Sequence, residues 1–395
     1  MKAPESHIFE QTPATMEAWA ESIGMPKYRA AQILEWIYQK GVIDPAQMSN
    51  LSKLDRDKLK QSFTFLTGRT VKHMEATDGT QKLLIEWDDV QPGMEMSALG
   101  VSEAAAASGE AGTHALPVLN GNGAAGDASR QTECVMIPTD DRKTACISSQ
   151  VGCPVGCKFC ASGLTGLDAS LNAGRIVEQV WRLGRLKDVP RISNVVFMGM
   201  GEPLSNFNAV TSAIRTMCAL WGLGISARKV TISTVGLPKF IERLATEFEL
   251  PVTLALSLHA PNDEIRRRLI PWAEYCTVSE LLASCQKWFA KTGREITLEY
   301  TLLRGVNDRP EHARELAEIA RSIRANINLI RYNEVDGLEF QRPRDEDVRK
   351  FQEFLKSKSI NTHIRSSRGR DIKAACGQLR HENKNKSSAG AKVGA

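Results

Sequence analysis

One short segment of the chain concentrates cysteines at a spacing that suits metal chemistry. Four of the nine cysteines lie within the fifteen residues from Cys146 to Cys160. Cys153, Cys157 and Cys160 follow the pattern C-x3-C-x2-C, which is too tight for one face of a strand or helix. The spacing favours a loop whose thiolates converge on one compact group. Because thiolates are the usual protein ligands of iron–sulfur clusters, a cluster is the first candidate for that group.

Zinc is the alternative occupant of these thiolates. A structural zinc ion needs a fourth ligand, which Cys146 could supply, but no second pair of ligands follows at zinc-finger spacing. With a four-iron cluster, three cysteines leave one iron free to bind a substrate and pass it an electron. Disulfides are disfavoured because the cysteine count is odd and the first residues contain no apolar signal core.

The overall composition is that of a soluble globular protein. The 395 residues are 25% charged and 42% hydrophobic, which allows one barrel-sized domain and an accessory region. No run of eighteen apolar residues predicts a membrane span. We therefore expect a cytoplasmic protein, and a monomer. The net charge of +5 permits a nucleic-acid partner without requiring one.

Strands and helices alternate from the cysteine segment onward, which predicts a parallel sheet covered by helices. Six units are too few to close an eight-fold barrel, so the pattern favours an α/β fold with an open, partial (β/α)6 barrel. The predicted strands are 146–151, 194–198, 229–233, 252–257, 296–302 and 327–332, and the predicted helices are 173–186, 206–221, 237–247, 277–291, 310–323 and 345–358.

A small helical domain is predicted before the barrel, over residues 1–75. One predicted helix carries an apolar stripe at helical spacing, formed by Ala30, Ile33, Leu34 and Ile37. Basic residues decorate the polar faces of this domain, so it could contact RNA or could be a plain packing domain.

Four further regions complete the predicted organisation. A β extension over 76–145 ends in a hairpin that leads into Cys146, and it contains an alanine- and glycine-rich insertion. The insertion lacks large apolar residues and is predicted to be disordered. These regions are the β extension 76–145 with its insertion 97–130, the barrel 146–360, a C-terminal segment 361–381 and a disordered tail 382–395.

Polar residues stand at the ends of four predicted strands. Gly201 and Glu202 follow the second strand, Ser233 ends the third, Ser257–His259 ends the fourth and Asn333 follows the sixth. In barrels, active sites lie at the carboxyl ends of the strands. One polar residue there is an ordinary turn cap, but four strands that end this way beside a cysteine loop indicate a common ligand site.

Several of these motifs together resemble one enzyme family. The cysteine loop followed by Ala-Ser-Gly is similar to the cluster loop of radical S-adenosylmethionine (SAM) enzymes. The sequences Cys-Ile-Ser-Ser-Gln-Val-Gly-Cys, Gly-Met-Gly-Glu-Pro-Leu, Ser-Leu-His-Ala and Arg-Tyr-Asn resemble those of the radical SAM RNA adenine carbon-2 methyltransferases. The resemblance extends from the N-terminal helices to about residue 380. Only the 97–130 insertion and the last residues fall outside it.

The resemblance implies two cofactors and their ligands. A [4Fe-4S] cluster would be held by Cys153, Cys157 and Cys160, with one open iron. SAM would be used twice per turnover. The residues that match the family's SAM contacts are Gly201, Glu202, Ser233, Ser257, Leu258, His259 and Asn333.

The resemblance also implies catalytic roles for two more cysteines. Carbon 2 of adenine is too electron-poor to attack the methyl group of SAM, but a carbon radical can add to it. In the family, the first SAM methylates a cysteine that matches Cys376, and the second SAM generates a methylene radical on that sulfur. After the radical adds to the base, a glutamate that matches Glu133 accepts the carbon-2 proton. A thiol that matches Cys146 then releases the product through a transient disulfide with Cys376.

The implied partners are RNA and an electron donor. Family members methylate an adenosine in the peptidyl-transferase centre of 23S rRNA and the adenosine 3′ of the tRNA anticodon, and a flavodoxin-type protein reduces them. The basic run from Arg365 to Lys373 would hold RNA phosphates beside Cys376. A sister enzyme that methylates carbon 8 of the same adenosine, and a zinc-stabilised RNA-binding protein without catalysis, remain as alternatives.

Overall fold

The computed structural model of the chain describes residues 6–88 and 128–379. Most of the alanine- and glycine-rich insertion (97–127) and the tail (382–395), both predicted to be disordered, lie outside the described residues.

The prediction of disorder was wrong for the last three residues of the insertion. Ala128–Arg130 form a 3-10 turn. The turn leads directly into a strand whose first residue, Gln131, donates a side-chain hydrogen bond of 2.7 Å to Glu86. This contact anchors the chain as it re-enters the sheet.

Three helices form the N-terminal region: α1 (Pro13–Ser22), α2 (Tyr28–Tyr38) and α3 (Lys53–Ser62). The predicted apolar stripe on α2 is buried along its whole length. α3 begins after Ser52, whose hydroxyl accepts a hydrogen bond from the backbone N–H of Asp55.

Four antiparallel strands follow: β1 (Gly68–Glu75), β2 (Gln81–Trp87), β3 (Gln131–Thr139) and β4 (Arg142–Cys146). The hairpin of β3 and β4 confirms the predicted extension. The prediction of a helical region through residue 75 missed β1. This edge strand is half exposed and lacks a clean alternation of apolar and polar side chains.

The parallel sheet begins at β4. Its further strands are β7 (Asn194–Phe197), β8 (Val230–Thr234), β9 (Thr253–Ser257), β10 (Ile296–Leu302), β11 (Ala325–Arg331) and β12 (Thr362–Arg365). Among the described residues, these strands and β1 to β4 form one sheet in the order β1-β2-β3-β4-β7-β8-β9-β10-β11-β12. Strand β4 is antiparallel to β3 and parallel to β7, so it joins the two parts of the sheet. A separate two-stranded ribbon pairs β5 (Gln150–Gly152) with β6 (Leu167–Ser170).

The helices between these strands agree with the predicted alternation. They are α4 (Ala173–Leu183), α5 (Phe207–Cys218), α6 (Pro238–Glu247), α7 (Asp263–Leu269), α8 (Val278–Thr292), α9 (Pro310–Ile323) and α10 (Asp345–Ser357). All but the short α7 were predicted. The open barrel, the helical region and the β-hairpin extension confirm the predicted fold class. In the described parts of the chain, no helix has both the length and the apolar composition to cross a bilayer.

Two strand predictions were wrong. The predicted strand 146–151 is interrupted after Cys146, because the chain turns at Ser148 and Ser149 to bond the loop after β7. β12 was missed and lies in the region assigned to a C-terminal segment. It is only four residues long, and its pairing with β11 is not visible in a local pattern.

Candidate active site

Ser148, which follows β4 and precedes the cysteine loop, is buried and fixes this part of the chain through hydrogen bonds. The Ser148 hydroxyl donates a hydrogen bond of 2.7 Å to the carbonyl of Glu133 and accepts one of 2.9 Å from the N–H of Met200. The Gln179 amide on α4 bonds both the N–H and the carbonyl of Ser148 at 2.9 Å. The turn between β4 and β5 is therefore fixed from three directions, and it presents the cysteine loop to the open face of the barrel.

Two glycines allow the loop after β7 to pack against this turn. A Cβ atom on Gly199 would lie 2.6 Å from the carbonyl oxygen of Ile147, and one on Gly201 would lie 2.7 Å from the hydroxyl of Ser149. Gly201 also has a φ of +105°, which side-chain-bearing residues rarely adopt. The Gly-Met-Gly-Glu sequence is thus required by this close approach of two backbones.

Glu202 joins the loops that follow β7 and β8. Its carboxylate accepts hydrogen bonds of 2.9 Å from the N–H of Leu204 and of 2.8 Å from the N–H of Val235. Burial raises the pKa of Glu202 to about 7. Each carboxylate oxygen retains a lone pair, so Glu202 can still accept a hydrogen bond from an ammonium group in the cavity.

The structure brings most of the predicted site residues to one inner cavity, between the cysteine loop and Cys376. The cavity encloses about 140 Å³ in this structure. Its lining includes Cys153, Cys157, Cys160, Gly201, Glu202, Ser233, Ser257, His259, Asn333 and Cys376. Leu258 does not line it, because its side chain is fully buried in the core.

Polar groups on the wall of the inner cavity are arranged to meet a ligand. The hydroxyls of Ser233 and Ser257 lie 3.1 Å apart at the ends of β8 and β9. The Asn333 amide donates to the carbonyl of Cys376 at 3.3 Å, while its buried oxygen has no hydrogen-bond partner among the described residues. A buried acceptor without a partner is costly, so this oxygen suits a donor group on a ligand, such as an amino group.

His259 is held as a neutral side chain. Its Nδ1 accepts a hydrogen bond of 3.1 Å from the N–H of Thr301, and its ring packs edge-on against Phe159 of the cysteine loop. Burial, with a further contribution from the charge of Arg266, lowers the pKa of His259 to about 3. The remaining ring proton therefore lies on Nε2, where it can donate a hydrogen bond.

The cysteine loop presents three thiols to one cavity. Cys153, Cys157 and Cys160 all line it, as ligands of a cluster would. Across the described ranges, no three His, Cys, Asp or Glu side chains are already grouped closely enough to hold one metal ion. Burial raises the pKa of Cys153 to about 12 and the pKa of Cys157 well above its usual value. Thiolates in such surroundings need a positively charged partner, which iron ions supply.

A second cavity, called here the outer cavity, shares Cys376 and Arg365 with the inner one. Both Cys146 and Cys376 line it, together with Arg142 and Arg368. Cys146 is buried, and burial raises the pKa of its thiol to about 12. Cys376 is exposed to the cavities, although the surrounding protein also raises the pKa of its thiol. The structure thus places the two cysteines in one cavity although they are far apart in the sequence.

Arg365 lines both cavities. Its guanidinium donates to the sulfur of Met198 at 3.1 Å and lies 3.9 Å from a carboxylate oxygen of Glu299. Its charge favours the thiolate forms of Cys146 and Cys376. The sequence had indicated Arg365 only as part of a basic run, since β12, which places it in the site, was not predicted.

Glu133 is the predicted catalytic residue that the structure keeps apart from the cavities. It lines neither cavity, and its carboxylate lies 3.0 Å from the ammonium of Lys82 on β2. Lys82 was not predicted as a site residue. A lysine in a strand is ordinarily exposed, and only the tertiary contacts show that this one is buried.

Comparison with known proteins matches two segments of the chain to described families. The family described as "Ribosomal RNA large subunit methyltransferase N-terminal domain" matches residues 7–65, and the "Radical SAM superfamily" matches residues 147–317. A probable dual-specificity RNA methyltransferase RlmN from Gloeobacter violaceus is 39% identical over 94% of each chain. The dual-specificity RNA methyltransferase RlmN of Pseudomonas entomophila is 39% identical and covers 93% of this chain and 88% of its own.

A solved structure has the same fold over almost the whole chain. The crystal structure of a radical SAM methyltransferase from Sphaerobacter thermophilus superimposes with a TM-score of 0.82 at 36% identity. The superposition covers 95% of this chain and 100% of that one.

Proposed function

The chain belongs to the RlmN family of radical SAM RNA methyltransferases, and from this premise we propose that it methylates carbon 2 of an adenine in 23S rRNA and in tRNA beside the anticodon. The observation that carries the proposal is the position of Cys376 between two cavities. One cavity leads to the three-cysteine loop and the other contains Cys146. A cysteine that first receives a methyl group and later exchanges thiol partners needs access to both.

The inner cavity supplies the cofactor sites in this proposal. Cys153, Cys157 and Cys160 would hold a [4Fe-4S] cluster with one open iron. When bound, the cluster and SAM supply one-electron reduction and a carbon radical. Glu202, the two serine hydroxyls and the unpartnered oxygen of Asn333 would orient SAM. Two SAM molecules would bind in succession, the first to methylate Cys376 and the second to activate that methyl group.

The outer cavity would accommodate the target base and the release step. The methylene carbon on Cys376 would add to carbon 2, and the adduct would return one electron to the cluster held by Cys153, Cys157 and Cys160, which replaces the electron spent on SAM. By the family resemblance the carbon-2 proton would pass to Glu133, which stands on β3 outside the lining of both cavities, and a thioether would link Cys376 to the base. The thiolate of Cys146 then attacks the sulfur of Cys376 to form a disulfide. The electron pair of the broken carbon–sulfur bond takes up a proton, which completes the methyl group. An external reductant restores the thiols.

Positive charge around the outer cavity suits an RNA partner. Arg368 lines the cavity and is exposed, and Arg370 is exposed two residues further on. Lys27, Lys53 and Lys60 add exposed charge on the N-terminal helices, and these helices fall within the matched N-terminal domain. These side chains would bind phosphates, while the target base is flipped toward Cys376.

Three finer points belong to the same proposal. A flavodoxin-type protein would deliver the electrons, as the family resemblance implies. The protein would act as a monomer in the cytoplasm, where its RNA substrates lie and where a reduced environment protects open thiolates.

Mapping the modified nucleotide tests the proposal directly. The anaerobically purified and reconstituted protein is incubated with SAM, a reducing system and 23S rRNA or tRNA, and the product nucleoside is identified by mass spectrometry against 2-methyl- and 8-methyladenosine standards. We expect 2-methyladenosine in both RNAs. An 8-methyl product would assign the chain to the sister activity. A colourless protein with zinc and no iron would support the non-catalytic alternative.

A further inference from the structure

Lys82 is a buried lysine at the junction of three segments. Only 1% of its surface is exposed, which is rare for a lysine without a counter-charge. Its ammonium lies 3.0 Å from a carboxylate oxygen of Glu133 on β3 and donates a hydrogen bond of 3.0 Å to the carbonyl of Lys373. Lys373 stands three residues before Cys376. One side chain therefore touches both the predicted proton acceptor and the loop that carries the methylated cysteine.

The register of the sheet explains how Lys82 reaches both. Lys82 pairs with Val135, and Val135 pairs with Cys146. Directly paired residues of antiparallel strands project from the same face of a sheet. Glu133 lies two residues from Val135 and so shares this face. The C-terminal loop packs here too, because Ala374 belongs to the same apolar cluster as Val135 and Cys146.

The loop carries local strain at the residue that Lys82 binds. Lys373 has a φ of +48°, in the left-handed region that residues other than glycine adopt at a cost. The hydrogen bond from Lys82 to its carbonyl offsets part of that cost. Other hydrogen bonds also hold this loop, including those from Asn333 to the carbonyl of Cys376 and from Gln378 to the carbonyl of Glu334, so loss of the Lys82 contact alone should leave Cys376 in place.

We propose that Lys82 is a positioning residue for product release, which fixes the carboxyl group of Glu133 and couples it to the loop that carries Cys376. The inference rests on the proposed function, in which Glu133 accepts the carbon-2 proton. Glu133 is only 7% exposed, so the orientation of its carboxyl group depends on the few groups that contact it. Lys82 is one of these groups, and its hydrogen bond to the carbonyl of Lys373 connects Glu133 to the C-terminal loop.

A second tether of the same loop provides a matched control. Asp78, at the tip of the β1–β2 hairpin, accepts a hydrogen bond of 3.0 Å from the N–H of Gly369. This contact also connects the hairpin to the C-terminal loop, but no contact between Asp78 and Glu133 is present among the described residues. A variant of Asp78 therefore loosens the loop without removing the counter-charge of Glu133.

The test compares Lys82→Met, Lys82→Arg and Asp78→Ala in the full-length, cluster-loaded protein. Methylation of Cys376 is measured by mass spectrometry, and covalent protein–RNA adduct is measured on denaturing gels with a labelled anticodon stem-loop. We expect Lys82→Met to methylate Cys376 normally, to accumulate adduct and to release product about 100-fold more slowly, as for loss of a general base. Lys82→Arg should recover release to within about tenfold, because arginine keeps the charge. Asp78→Ala should show no adduct.

Several outcomes would overturn the inference. Product release by Lys82→Met at the parental rate would exclude a role for Lys82 in this step. If Asp78→Ala accumulated as much adduct as Lys82→Met, Lys82 would act only by holding the C-terminal loop and not through Glu133. If Lys82→Met does not fold, the double variant Lys82→Met/Glu133→Gln removes both buried charges. Its adduct level must then match that of Glu133→Gln alone, and a further loss would count against the inference. Absence of 2-methyladenosine with the parent protein would instead contradict the proposed function.

Discussion

Cys146 differs from its neighbour Cys134 in what its thiol can reach. Cys134 lies on β3 with its side chain buried in the main apolar core, whereas Cys146 lines the outer cavity with Cys376. Both thiols are held neutral by burial, which raises the pKa of each. A nearby arginine favours the thiolate of each, Arg182 for Cys134 and Arg365 for Cys146. Access to Cys376 therefore distinguishes a reactive thiol from an apolar filler.

Replacing Cys146 should therefore trap the reaction before release. We expect Cys146→Ala to accumulate a covalent protein–RNA adduct and to lose at least about 100-fold in product formation, because no thiol can attack the sulfur of Cys376. Denaturing gels with labelled RNA measure the adduct. Cys134→Ala is the matched control and should turn over at the parental rate. Turnover by Cys146→Ala at the parental rate would remove this residue from the mechanism.

The buried oxygen of Asn333 gives a second prediction at the residue scale. Asn333→Ala should weaken SAM binding about tenfold, the effect of losing one or two hydrogen bonds. Isothermal titration of the anaerobic, cluster-loaded protein measures the dissociation constant. Asn326→Ala serves as the control, because Asn326 stands at the opposite end of the same strand and bonds Glu295 and Asn361. An unchanged dissociation constant for Asn333→Ala would exclude contact with SAM.

Some site residues could be predicted from sequence and others could not. Glu202, Ser233, Ser257 and Asn333 follow strands of clear apolar pattern, and the carboxyl ends of parallel strands share one edge, so their convergence could be expected. Their roles toward SAM stay predictions. The burial of Lys82 could not be foreseen, because it depends on the C-terminal loop folding over β2, almost three hundred residues away in the chain.

At the scale of elements, α4 is the helix on which the N-terminal region docks. Every residue of α4 is buried. The carboxylate of Glu178 pairs with Arg182 at 2.8 Å, lies 3.2 Å from the ring of His7, and accepts hydrogen bonds from the N–H groups of Thr67 and Gly68. Burial alone would raise the pKa of Glu178, but Arg182, His7 and Thr67 together lower it to about 2. One carboxylate thus joins the helical region and β1 to the barrel.

Glu178→Gln should lower the free energy of unfolding by about 3 kcal/mol at neutral pH, the typical loss when one member of a buried ion pair is removed. The pKa of Glu178 is depressed from 4.5 to about 2, so its stabilisation is complete above pH 4.5 and declines as pH falls toward 2. The difference between parent and variant should shrink over the same range. Urea unfolding followed by tryptophan fluorescence at several pH values measures it.

An exposed pair provides the control for this prediction. Glu35 lies 3.2 Å from Lys40 with about half of its side chain exposed, so Glu35→Gln should change the free energy of unfolding by less than about 1 kcal/mol. Equal effects of the two substitutions would show that the network around Glu178 does not hold the N-terminal region to the barrel.

For the whole molecule, local patterns predicted the barrel, and long-range contacts decided the rest. The six barrel helices could be read from sequence because apolar periodicity is a local signal. β12 and β1 could not, since the first is short and the second is a half-exposed edge strand. The hydrogen bond from the N–H of Gly369 in the C-terminal loop to Asp78 at the tip of the β1–β2 hairpin corresponds to no periodic sequence pattern. These contacts connect the two ends of the sheet and so set the geometry around Cys376.

The insertion between β2 and β3 is dispensable for this architecture. Glu86 near the end of β2 pairs with Gln131 at the start of β3. The chain therefore leaves β2 and enters β3 at neighbouring positions, which a short turn can join. We expect replacement of residues 97–127 by a short glycine–serine linker to leave the rate of RNA methylation within about twofold and the melting temperature within a few degrees. Long insertions at such loops change the closure entropy only slightly.

The matched control replaces the same residues by an equally long glycine–serine segment, which separates an effect of length from one of sequence. Loss of methylation in the shortened protein but not in this control would mean that the spacer length is needed, and loss in both would mean that the inserted sequence contacts the RNA or the donor.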